Sequence, residues 1–124
     1  MEVGIGHHGE PGIAVLPTAP AAEMARLMVE RIVEDLPFGR GDSVTVLVSG
    51  LGATPLMELY LLYGHVDALL RERAITPVRR LVGNYFTSLE MNGVSLTLMR
   101  MDAELERLMA APCGSIGLTL TEGW

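Results

Sequence analysis

Lysine is absent from the 124-residue chain; all nine basic residues are arginine. That excludes a Schiff-base lysine and the lysine of a phosphate-binding P-loop. Arginine-only usage also fits a GC-rich genome. Cysteine is nearly absent too. The single Cys113 rules out an internal disulfide and fits a reducing cytoplasm. It follows Pro112 with no neighbouring histidine to activate it, so a nucleophilic role is not expected. Positive charge is short, with a formal net charge of −6. Nucleic acid and anionic membrane surfaces, which need basic patches, are therefore not expected partners. No apolar run approaches a membrane span, and the first residues lack the basic-then-apolar order of a signal peptide.

What is present is a foldable chain. Hydrophobic residues make up 49% and charged residues 19%, a balance that favours one packed domain over disorder. Val3 and Ile5 alternate with Gly4 and Gly6, giving a short strand over residues 2–7. Met24, Leu27, Met28 and Ile32 recur at helical spacing from Ala21 to Leu36, with Thr18 or Ala19 as N-cap. SVTVLVS, Ser43–Ser49, reads as a strand with Val44, Val46 and Val48 on one face and Leu47 on the other. Thr54-Pro55 predicts an N-cap and first turn for a helix over Pro55–Arg73. Its expected buried stripe is Leu56, Leu59, Tyr60, Tyr63, Val66 and Leu70.

A strand is expected over Val78–Phe86, then a compact connector ending at Asn92-Gly93. A strand over Val94–Met101 follows. Asp102 caps a short helix, and a Gly- and Thr-rich tail runs from Pro112 to Trp124. Met24, Met28 and Met57 are read as plastic core filling. The order predicts an α/β two-layer sandwich, with a mixed sheet of about four strands and two main helices on one face. The other face is not obviously polar, and another chain or domain is a natural cover for it.

The stretch GIGHHGEPG, residues 4–12, is the chemical focus. Glycines on both sides of His7 and His8 allow unusual dihedrals and close approach, and Pro11 stiffens the exit. This pattern fits a reactive loop or a simple bend. Adjacent histidines on an extended segment point to opposite faces, so a shared metal ion is not expected. The Gly50-Leu51-Gly52 turn before a helix has the form of an anion cradle, but capping by Thr54 explains it sufficiently.

The histidine segment resembles the motif of the dihydroxyacetone kinases, in their dihydroxyacetone-binding subunit. VLVSGLGATPLMELY, RRLVGNYFTSLEMNG, VSLTLMRMD and the ending ELERLMAAP agree in order and spacing. Ser49 stands where the family commonly carries asparagine, and His7 where it usually carries an apolar residue. The resemblance covers the C-terminal portion of that subunit. It implies that residues 1–124 form its second domain, with the N-terminal domain absent.

It further implies that His8 is the catalytic residue, bonding the ketone of dihydroxyacetone as a hemiaminal, with Gly9 and Glu10 beside it as substrate-binding residues. Glycerol, lacking a carbonyl, would be rejected. No cofactor or metal would be bound by this chain. The phosphoryl group would come from ATP or a phosphotransferase donor on a partner subunit. The expected partners are a small ketose, the N-terminal kinase domain, a nucleotide-binding or phosphotransferase subunit and a further copy in a homo-oligomer. A non-enzymatic ligand-sensing or dimerisation module is the alternative from a different class.

Overall fold

The computed structural model describes residues 1–121; the terminal Trp124 lies outside them. The central element is β3, Ser43–Gly50. Three alternate valines, Val44, Val46 and Val48, are fully buried beneath the helices. Burial of each such side chain contributes about 1.5–3 kcal/mol. On one side β3 pairs in parallel with β4, Thr76–Gly83, placing Val48 opposite Val82. On the other side it pairs antiparallel with β5, Val94–Met101, placing Val46 opposite Leu98. The sheet order is β4-β3-β5. The parallel pair requires a crossover, supplied by helix α2, Leu56–Glu72. The β3–β4 register shifts between Val44 and Thr45, beside Pro77, which has no N–H to give the ladder.

Helix α1, Ala21–Asp35, lies beside α2 and completes the second layer. Ala25 and Val29 of α1 are fully buried, as are Val66 and Leu70 of α2, and Glu30 reaches Arg73 across the helix pair at 3.7 Å. The expected two-layer α/β sandwich with a mixed sheet is therefore present.

Its main sheet has three strands rather than about four. The first segment forms only β1, Glu2–Val3, which pairs with β2, Ala14–Val15, in a separate hairpin. Glycines at 4 and 6 have no side chains to extend that strand. The tail forms another small ribbon, β6 at Cys113–Gly114 with β7 at Thr119–Leu120. Cys113 is free and exposed.

Several local expectations need correction. Helix α1 is preceded by Pro20 without a side-chain cap, not capped by Thr18 or Ala19. The buried stripe of α2 is Leu59, Leu62, Val66 and Leu70, while Leu56 and Tyr60 are exposed. Leu59, Val66 and Leu70 are buried as expected and Tyr63 packs against the core, whereas Leu56 and Tyr60 lie outside the arc that α1 and the sheet cover. Met57 is 80% exposed and is not core filling; Met24 and Met28 do pack against the core. Strand β4 starts at Thr76 and ends at Gly83 rather than running to Phe86. Asp102 caps α3, Ala103–Met109, as expected, accepting from the Leu105 N–H at 2.8 Å.

The second sheet face is partly closed from within the chain. Thr45 and Ser49 on it are buried. The Thr45 hydroxyl donates to Met101 Sδ at 3.1 Å, and Met109 and Leu120 line a groove with Arg79 and Leu81. Among the described residues no helix is long and apolar enough to cross a membrane.

At the start of β3 the loop after α1 is held by charge. Asp42 Oδ2 accepts from the Gly39 N–H at 2.7 Å and from Arg100 Nη2 at 2.6 Å. Arg100 also donates to the Pro37 carbonyl and stands 5.7 Å over the Phe38 ring. The Gly39 N–H holds the Asp42 carboxyl below its ordinary range; Arg100 reinforces this against a desolvation cost. A carboxyl depressed in the folded state stabilises above its unfolded value, about 3.9. That contribution is lost as pH falls through the lower folded value. In urea titrations the advantage of wild type over Asp42→Asn is therefore expected to be largest near neutral pH and to shrink below about pH 4. A gap that stays constant with pH would show that the carboxylate charge contributes nothing.

Candidate functional site

The histidine segment forms the tip of the amino-terminal hairpin. Its base is closed by β1–β2 pairing, by the Leu16 N–H on the Met1 carbonyl at 2.9 Å and by the Ile13 N–H on the Val3 carbonyl at 2.8 Å. The tip closes on itself through Glu10. The Gly6 N–H donates to the Glu10 carbonyl at 3.0 Å, and the His8 N–H donates to Glu10 Oε2, also at 3.0 Å. A Cβ on residue 6 would fall 2.0 Å from that carboxylate oxygen, so only glycine leaves Glu10 its seat. Gly9 has φ +90° and open space around it.

The result for His8 is an anchored main chain with a free ring. Its side chain is 90% exposed, and Nδ1 lies 3.8 Å from Glu10 Oε1. An imidazole so placed can act as a nucleophile, a base or a ligand. His7 points elsewhere: its ring meets Phe86, with centroids 4.2 Å apart and planes at 59°. Among the described residues no group of three or more His, Cys, Asp or Glu could hold a metal ion.

Phe86 belongs to the connector between β4 and β5, and that connector is organised by Ser49. The Ser49 hydroxyl is fully buried. It accepts from the Tyr85 and Phe86 N–H groups at 3.0 and 2.9 Å and donates to the Phe86 carbonyl at 3.1 Å. The serine that departs from the usual asparagine thus ties the turn by itself. The Gly-Leu-Gly turn is sewn to the same connector. Leu51 exchanges backbone hydrogen bonds with Gly93 and Met91, and the Ser88 hydroxyl donates to the Leu51 carbonyl at 2.9 Å. Gly52, at φ +111°, passes so close that a Cβ would lie 2.4 Å from the Ser88 carbonyl. Thr54 does not cap α2. Its hydroxyl donates to the Gly93 carbonyl and accepts from the Gly93 N–H, and Pro55 holds the N-cap position instead.

Strands β3 and β4 run in parallel, so both turns leave from carboxyl ends. The His7–Phe86 contact brings the hairpin tip to that same edge, where open α/β sheets receive small ligands. His8, Gly9 and Glu10, the residues expected to bind substrate, lie consecutively at the hairpin tip. Phe86 was missed as a partner of the loop, and Ser49 as its support. Nothing in local pattern marks a contact between residues 7 and 86.

Fold and site together define an α/β domain with its polar loops gathered at the carboxyl ends of a parallel strand pair. The model of the Dak1 domain matches residues 1–117. A PTS-dependent dihydroxyacetone kinase 2, dihydroxyacetone-binding subunit, from Listeria innocua is 42% identical over 113 residues, covering 91% of this chain and 34% of that protein. The chain therefore belongs to the Dak1 domain family. It spans about a third of the length of the curated binding subunits that it matches.

Two solved structures share the fold. A dihydroxyacetone kinase operon co-activator superposes with a TM-score of 0.81 at 33% identity, over 88% of this chain and 34% of that one. The dihydroxyacetone kinase from C. freundii does so with 0.65 at 26% identity, over 97% of this chain and 24% of that one.

Removing the Ser49 hydroxyl leaves two connector N–H groups without their acceptor. Ser49→Ala is expected to cost about 1–3 kcal/mol in urea unfolding and to speed amide exchange at Tyr85 and Phe86. Unchanged exchange at those two amides would show that the connector holds without Ser49.

Proposed function

We propose that this chain is the second, C-terminal domain of a dihydroxyacetone-kinase substrate-binding subunit, and that His8 anchors the ketone covalently. The observation that carries this reading is the His8 ring, 90% exposed on a main chain held by Glu10, in a member of the Dak1 domain family. In the proposed step a ring nitrogen of neutral His8 adds its lone pair to the keto carbon. The C=O π pair moves onto oxygen, which takes up a proton as the ring gives up its N–H proton. A C–N bond forms and nothing leaves, so the product is a hemiaminal. Glycerol has no carbonyl and is excluded, a discrimination that contacts alone give weakly between such small polyols.

Once anchored, the ketose presents a terminal hydroxyl for attack on a phosphoryl donor. Positioning of this kind dominates phosphoryl transfer. Gly9 leaves room beside the ring and Glu10 orients the loop. The remaining pocket walls come from the N-terminal kinase domain. The donor, ATP or a phosphotransferase-linked phosphoryl group, is held by a partner subunit in the cytoplasm, and the binding subunit works as a homo-oligomer. The substrate is dihydroxyacetone or a related small ketose.

A second reading is favoured by a specific likeness. The superposition on an operon co-activator supports a module that senses the ketose, or dimerises, without transferring phosphate.

The test is carbon-13 NMR and native mass spectrometry of the chain with carbonyl-labelled dihydroxyacetone, alone and with the N-terminal part of a related binding subunit. We expect a whole-ketose mass increase and loss of the ketone carbon signal, both abolished by His8→Ala. An adduct that persists in His8→Ala would refute the covalent assignment. An adduct in wild type with no turnover, even beside a donor subunit that serves a related kinase, would favour the sensor.

A further inference from the structure

We infer that His7 is a positioning residue, whose ring pins the hairpin tip to the β4–β5 connector so that His8 is presented at the carboxyl edge of the sheet. The inference rests on the reading of His8 as the anchoring residue and adds to it. The two adjacent histidines are both exposed and differ in what their rings meet. His8 carries a ring that touches little, while the His7 ring packs on Phe86 at 4.2 Å.

Phe86 is a firm post. Its N–H and carbonyl both bond to the Ser49 hydroxyl, and Ser49 is fully buried at the end of β3. The route from core to nucleophile is therefore short: Ser49 hydroxyl, Phe86 main chain, Phe86 ring, His7 ring, His8. The hairpin's own hydrogen bonds close it internally, through Glu10, Val3 and Met1. They set the shape of the tip and leave its place over the sheet undetermined. The His7–Phe86 contact spans that gap. A tilted ring pair at this distance gains stability beyond its buried area, enough to bias a small loop between docked and swinging states. Presentation matters because an anchored ketose must offer its hydroxyl within a narrow range of positions.

The experiment has two readouts on the full chain. Solvent exchange of the Gly6 and His8 amides reports docking through the tip's own bonds to Glu10, which open more readily once the tip swings free of the connector. We expect His7→Ala and Phe86→Ala each to speed it by ~3–10-fold, with the double variant no faster than either single one. His7→Phe, which keeps a ring, is expected to restore the wild-type rate. The urea midpoint of His7→Ala is expected to fall by no more than the loss of a ~3–10-fold docking preference accounts for, separating docking from wider damage to the fold. The second readout is the equilibrium constant for the ketose adduct, which His7→Ala is expected to lower by a similar factor and His7→Phe to restore.

Unchanged exchange, additive effects in the double variant, or an adduct constant indifferent to His7 would each overturn the positioning role. If wild type forms no adduct, the covalent reading of His8 fails, while the exchange rates still decide whether His7 docks the loop.

Discussion

One buried hydroxyl organises the functional end of this molecule. Ser49 closes β3 and bonds the main chain of Tyr85 and Phe86. Burial makes that arrangement obligatory rather than optional. An unpaired polar group in such a place would carry its full desolvation cost, so the connector must stay where its amides and the hydroxyl satisfy each other. The Gly-Leu-Gly turn, the start of β5 and the His7 contact are then built on a fixed connector.

The two ends of β3 are held by different physics. At its start, Asp42 and Arg100 clamp the preceding loop by charge at a partly exposed site. At its finish, neutral donors and acceptors interlock in a buried one. The charged clamp answers to pH and salt, whereas the buried polar knot does not titrate. A connector supported by the second kind keeps its geometry as pH and salt change.

The exposed His8 ring and its tethered main chain follow from the same design. Glycines at 6 and 9 remove side chains where Glu10 must fit and where the chain turns left-handed. The consequence is an imidazole left 90% exposed on a held main chain. The chain is a member of the Dak1 domain family and spans about a third of the length of the related binding subunits.

By itself the sequence determined the α/β class, the valine face of β3, the extent of β5 and the Asp102 cap. These are set by short-range rules: alternation, capping chemistry and glycine geometry act within a few residues. Only the tertiary structure decided which arc of α2 is buried, that the first strand leaves the main sheet for its own hairpin, that Thr54 serves Gly93 instead of a helix, and that residues 7, 49 and 86 meet. The first strand pairs with a segment beyond the glycine loop, Glu2 with Val15; the others depend on groups brought together from 35 or more positions away, or on what surface a neighbouring layer happens to cover. A local pattern carries no record of either.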